Sequence, residues 1–285
     1  MKASIAFFLS IVSLSFACGR GNAENLNGLL YDSTPVIRPL IPIINEISGI
    51  ADSKVNPGHL WAEEDSGNPP QLHLISHEGK LTKTIYIKGA INRDWEDLVL
   101  AGGKIYIGDI GDNNRVYSEY SFYLFDEPLK EVDTIKSFQQ IKFVYSDGSH
   151  DAEAFLVDPT TKDIYIITKR DNPSRVYKIS YHYSSSSANT ATLVAQLPFS
   201  GVVAAALSPD GKEILVKTYL AISRFEKKGS ASISEALQTT PLTIQGYKVE
   251  PLGEAISFKM DGQGFFTISE KGLASSVNLY FYSKN

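Results

Sequence analysis

Five stretches of this chain share one form, and that repetition limits the fold more than any other feature. They are EISGIADSKVNPGHLWAEEDSG, DWEDLVLAGGKIYIGDIGD, DAEAFLVDPTTKDIYIITKRD, VVAAALSPDGKEILVKTYL and GEAISFKMDGQGFFTISEKG. Each reads as a short strand, a turn rich in Gly, Pro, Asp or Lys, and a second strand of alternating or aromatic-rich residues. Aligned on the turn, they make Ser48, Glu96, Glu153, Val203 and Glu254 equivalent, at steps of 48, 57, 50 and 51 residues.

That spacing is slightly longer than the ~40–45 residues of the commonest propeller repeats and predicts an all-β, five-bladed β-propeller. Third strands are expected at 71–76, 121–127, 175–180 and 278–283, and fourth strands at 82–89, 138–146, 190–198 and 241–249. The last repeat has no fourth strand after it. TPVIRPLIP (34–42) resembles the fourth strand TATLVAQLP and is expected to close the final blade from the N-terminal end, which removes the open edge of the ring. A six-bladed ring is the alternative. Residues 180–191 read as an outer loop and 232–240 as one helical turn, so 34–285 is expected to be one domain.

The first 18 residues carry Lys2, an apolar stretch and a small residue before Cys18, the layout of an export signal. Cys18 resembles the lipid-modified cysteine of a bacterial lipoprotein, and residues 19–33 read as a polar tether holding the domain off a membrane. The expected location is extracytoplasmic, lipid-anchored to the bacterial envelope, with an ordinary secreted protein as the alternative. Cys18 is the only cysteine, so neither a disulfide nor a cysteine-based zinc site can hold the mature chain together. Burial must do so, and 14 Phe and 15 Tyr supply the material. A net charge of −5 argues against a nucleic-acid partner, and a monomer is expected.

In a propeller the second strand of each blade returns to the face on which the first began. Glu96 should therefore lie near Asp109, Glu153 near Thr168, Glu254 near Ser269, and Ser48 near Glu64, all at the mouth of the central channel. Carboxylates held that close raise one another's pKa unless something compensates. Ca²⁺, which takes 6–8 oxygen ligands at roughly 2.3–2.6 Å, suits a ring made of Ser48, Glu96, Glu153 and Glu254. Salt bridges to Arg93, Lys169, Arg170, Lys217 and Lys271, or backbone N–H donors, are the alternatives. GDIGDNN could hold a second cation through Asp109, Asp112 and Asn113. Trp61 and Trp95 read as blade-to-blade packing.

Candidate catalytic groups are His150, Asp109, Lys169 and Lys217. His150 can serve as acid, base or ligand, or be a hydrogen-bonded loop histidine. Lys169, Arg170, Lys217 and Lys271 could clamp a phosphoryl group, or balance the charge of the acids.

EISGI…EDSGN, RDWEDLVL, GDIGDN and DAEAFLVDP…IYIITK resemble a group of bacterial secreted propeller proteins over nearly the whole chain after residue 45. More distantly, the series Ser48, Glu96, Glu153, Val203, Glu254 is similar to the axial calcium ligands of the soluble calcium-activated nucleotidases, the apyrase family. That resemblance implies a structural Ca²⁺ and a five-bladed ring, with hydrolysis of nucleoside di- or triphosphates above the ion; the expected partner is a phosphorylated small molecule or a surface glycan or protein. Val203 departs from the pattern, because its side chain cannot ligate and a backbone carbonyl or water must stand in. Two functions are therefore expected: a calcium-dependent phosphohydrolase of the phytase or nucleotidase kind, or a non-catalytic surface lipoprotein binding a glycan, peptide or protein.

Overall fold

A computed structural model describes residues 29–285, and 21 of their 22 regular elements are β-strands. The expected signal, 1–18, and the tether as far as residue 28 lie outside the described residues. The chain enters on β1 (Val36–Pro39), then forms an antiparallel set from β2 (Ile47–Asp52), β3 (His59–Glu64), β4 (Gln71–Ser76) and β5 (Leu81–Ile87). A second set holds β6 (Trp95–Ala101), β7 (Lys104–Asp109) and β8 (Tyr120–Asp126); the short β9 (Thr134–Ile135) pairs back onto β5 before β10 (Gln139–Tyr145) completes it. The third is β11 (Ala152–Val157), β12 (Ile164–Thr168), β13 (Arg175–Ile179) and β14 (Asn189–Gln196).

In the fourth set, β15 (Val202–Leu207), β16 (Glu213–Thr218) and β17 (Ile222–Glu226) are followed by α1 (Ile233–Leu237) and β18 (Leu242–Thr243). The last set is β19 (Gly253–Phe258), β20 (Gly264–Ser269) and β21 (Asn278–Ser283), and its outer strand is β1, paired with Val36 opposite Phe281 and Pro39 opposite Asn278. The N-terminal strand thus closes the final sheet as expected. The innermost strands β2, β6, β11, β15 and β19 pack each against the next, and β19 packs back against β2. The architecture is an all-β propeller.

Apolar residues on both faces of each sheet place the core between sheets. Five clusters fill the five junctions, the first-to-second one around Trp61 and Trp95 and the second-to-third around Phe122, Phe143 and Phe155. Both tryptophans are fully buried between blades. Close approach explains one glycine here: a Cβ at Gly49 would stand 2.6 Å from Glu63 Oε1 and 2.8 Å from the Asp97 carbonyl carbon.

Two segments differ from the sequence reading. Residues 29–33 fall in the span read as tether, yet Tyr31 is 1 % exposed, packs edge-on to Phe265 and donates to Glu213 Oε2 at 2.6 Å. The strand expected over 241–249 shrinks to β18, and ahead of it α1 packs Ile233, Ala236 and Leu237 against β14 and β17 in the junction between the third and fourth blades. A capping box starts this helix: Ser232 accepts from the Glu235 N–H, and the Glu235 carboxylate accepts from the Ser232 N–H.

Candidate functional site

All five inner strands break register at one residue, and the residue is Ser48, Glu96, Glu153, Val203 or Glu254 in turn. A bulge leaves its residue outside the ladder and re-aims its side chain. The repeat therefore delivers the equivalent position as a bulge in every blade, beside the end of the second strand: Glu64 pairs with Ile47, Asp109 with Trp95, Thr168 with Ala152 and Ser269 with Gly253.

Two further positions per blade complete the mouth. Residues two before the bulge include Glu46, Asp94 and Asp151; residues just after the second strand include Asp65, Lys169, Tyr219 and Glu270. These layers are tied by backbone bonds, from the Asp65 N–H to Glu46 O, Ile110 to Asp94, Lys169 to Asp151 and Glu270 to Leu252.

The mouth has two halves. On the side of the first two blades, one oxygen from each of Asp65, Asp94 and Glu96 lies within 4.8 Å of the others. Burial, then the carboxylates of Glu153, Asp65, Asp94 and Asp151, push the Glu96 carboxyl well above its ordinary range. Burial and Asp65 lift Asp94 to about 6. Gly111 backs this trio, since a Cβ there would stand 2.6 Å from both Asp94 Cγ and Oδ2, and closer still to Glu96 Oε1.

On the other side Lys169 donates to Glu153 Oε1 and to the Tyr219 hydroxyl, and stands 3.8 Å from Glu254 Oε1, while Tyr219 donates to Glu254. Burial, opposed by Lys169 and aided by Glu254, still holds Glu153 at about 8, and its Oε2 is buried without a hydrogen-bond partner among the described residues. Burial and Glu254 raise Glu270 to about 9. Ser48 turns its hydroxyl to Glu63 Oε1 at 2.9 Å and Trp95 O at 3.4 Å.

The remaining candidates do not converge on the mouth's centre. His150 sits in a network with Nδ1 2.8 Å from Asp171 Oδ2 and Nε2 2.9 Å from the Tyr177 hydroxyl and 3.1 Å from Asp147 Oδ1. Lys217 is fully buried, donates to Gly253 O and lies 5.3 Å from the Tyr247 ring centroid. Arg170 pairs with Asp151 at 2.6 Å. In GDIGDNN, Asp109 accepts from the Asp94 N–H, Asp112 from the N–H groups of Val116 and Tyr117 and from the Tyr120 hydroxyl, and Asn113 from Arg170.

Asp65, Asp94 and Glu270 were not singled out as site residues from the sequence. Extending the alignment two residues before the bulge and one beyond the second strand finds all three.

No protein-family model and no curated protein matches the chain. Among solved structures it is similar to an auxiliary nutrient binding protein from Bacteroides thetaiotaomicron, at 11 % identity over 89 % of this chain and 73 % of that one, TM-score 0.49. It is similar to Kuenenia stuttgartiensis hydrazine synthase, at 11 % identity over 82 % of this chain and 70 % of that one, TM-score 0.44. A structure of a nidogen/laminin complex matches at 11 % identity over 81 % of this chain and 78 % of that one, TM-score 0.45.

Proposed function

We propose that this chain is a calcium-binding propeller that works outside the cytoplasm, carried on the envelope by a lipid at Cys18, with the ion held in the mouth by Asp65, Asp94 and Glu96. The observation that carries this is Glu96: 5 % exposed and surrounded by carboxylates. Three acids so close stay ionised together only with a cation among them. Their chemistry suits calcium. One oxygen from each lies within 4.8 Å of the others, and an all-oxygen, irregular site suits Ca²⁺, which takes roughly 6–8 oxygens in flexible geometry, better than Mg²⁺, which demands a near-ideal octahedron. Glu153 Oε2, buried without a partner among the described residues, is a further oxygen at this mouth; water and backbone oxygens would complete the shell.

This reading moves the ion from the expected ring of Ser48, Glu96, Glu153 and Glu254 toward the first two blades, because Lys169 already bridges Glu153 and Glu254. It also favours a binding role over phosphohydrolysis. Two of the three lysines that a phosphoryl clamp would need are engaged, Lys169 by those acids and Lys217 inside the protein.

Calorimetric titration of the chelator-washed protein tests it. One calcium site should appear, with magnesium at least tenfold weaker, and Glu96→Gln should cost at least tenfold in calcium affinity. No heat at millimolar calcium, or an indifferent Glu96→Gln, would overturn the proposal.

A further inference from the structure

We propose a second binding site on the opposite face, a saccharide cleft between the second and third blades built on Tyr181, His182 and Tyr183. These residues lie in the loop joining β13 to β14, at the far end of the blades from the acidic mouth. A cavity of about 260 Å³ opens there, floored by Tyr106 and edged by Lys104, Gln139, Asp158 and Lys162. That is below the ~300–1,000 Å³ of sites for drug-sized ligands, and suits a single sugar residue.

The chemistry of the walls points to a sugar. A pyranose has an apolar C–H face that packs on an aromatic ring, and hydroxyls around its edge that need donors and acceptors. Tyr181 is 39 % exposed, its ring centroid 4.0 Å from that of His182 and 5.2 Å from that of Tyr183, so three rings make an angled platform. Clustered exposed rings in a concave site are a common mark of a ligand-binding surface. The platform is braced from below, since the Tyr183 hydroxyl donates to Lys162 O and the Tyr181 N–H donates to Asp163 Oδ1 at 3.0 Å.

Hydrogen-bonding groups around the rings are free for a ligand. Among the described residues the side chains of Gln139 and His182 form no hydrogen bond, and the Lys162 ammonium has no carboxylate partner, lying 4.7 Å from the Tyr181 ring centroid. Amide, imidazole and ammonium together offer both donors and acceptors to sugar hydroxyls, and Lys162 would also take the carboxylate of an acidic sugar. Asp158 and Lys104 are already engaged, the first by the Thr160 and Thr161 N–H groups and the second by Asp126. The site is independent of the cation at the mouth.

Saturation-transfer NMR with glucose, galactose, N-acetylglucosamine and glucuronic acid tests this on the whole protein. At least one should bind with Kd on the order of 1 mM, unchanged by EDTA. Tyr181→Ala should weaken it at least tenfold, and Gln139→Ala several-fold; both side chains are exposed, so an unchanged melting temperature certifies the fold. Transfer from none of the four sugars, transfer that survives Tyr181→Ala, or occupation of this cleft by a peptide instead would each overturn the proposal.

Discussion

Replacing Lys217 with Met should abolish a rise in stability between pH 7.5 and 9.5. Lys217 is 0 % exposed. Burial depresses its ammonium from an ordinary 10.5 to about 8, against the pull of Glu250 and Glu254. Below pH 8 the folded protein carries a charge it holds poorly. From pH 8 to 10.5 the folded state binds fewer protons than the unfolded one, so this residue makes stability increase with pH. At 1.36 kcal/mol for each pH unit, the penalty is about 3 kcal/mol at pH 7.5, and about 2 kcal/mol of it is relieved by pH 9.5. Met keeps the length and removes the charge, which for a buried ion is often neutral or stabilising. Glu250, which burial already lifts to about 7 against Lys217, goes higher without that ammonium, so the variant loses rather than gains stability as pH rises. Urea unfolding of both proteins at the two pH values reads the effect, because titrating groups other than Lys217 and Glu250 cancel in the difference and Glu250 adds to it in the same direction. With an m-value of about 3 kcal/mol/M, the wild-type midpoint should gain at least roughly 0.7 M on the variant between pH 7.5 and 9.5. A difference that does not change with pH would refute the assignment of a depressed, buried ammonium.

Gly111→Ala should weaken calcium binding at least tenfold in the same calorimetric titration while leaving the circular-dichroism spectrum unchanged, because its methyl would enter the space between Asp94 and Glu96. Tyr31→Phe removes a bond to a carboxylate inside the fold and should cost about 1.5–3 kcal/mol, lowering the melting temperature by about 3–12 °C. Deleting residues 1–40 removes Tyr31, β1 and Leu40, exposes the β21 edge, and should leave the protein aggregated or unfolded by size-exclusion chromatography; a monomer with native melting would show that closure is dispensable.

Strand positions were largely legible because they depend on short-range patterns. LTKTIYI alternates, and turns such as SPDGKE carry glycine where φ is positive, +70° at Gly211. Closure by 34–42 was legible for a different reason: an unpaired edge had to be covered, and one strand-like segment was left over. The pattern failed where a non-repeating element intervened. Nothing in PLTIQGYKV itself says that a helix will precede it and that only Leu242 and Thr243 will pair. Nor does a polar stretch before residue 34 show that Tyr31 will find a pocket beside Phe265.

By itself the sequence determined the repeat, the closing strand and the five equivalent positions that become bulges, since each follows from local periodicity counted along the chain. The tertiary structure alone decided which charges meet. Asp65 comes from one blade and Asp94 and Glu96 from the next, while Lys169 reaches from the third blade to a carboxylate of the fifth. Those distances depend on how sheets twist and how loops lie across junctions between blades. A one-dimensional repeat does not record them. The same cause separates Lys217 from Lys169: one stands just before and the other just after the last residue of a second strand in neighbouring blades, yet one is sealed against Gly253 and the other faces the mouth.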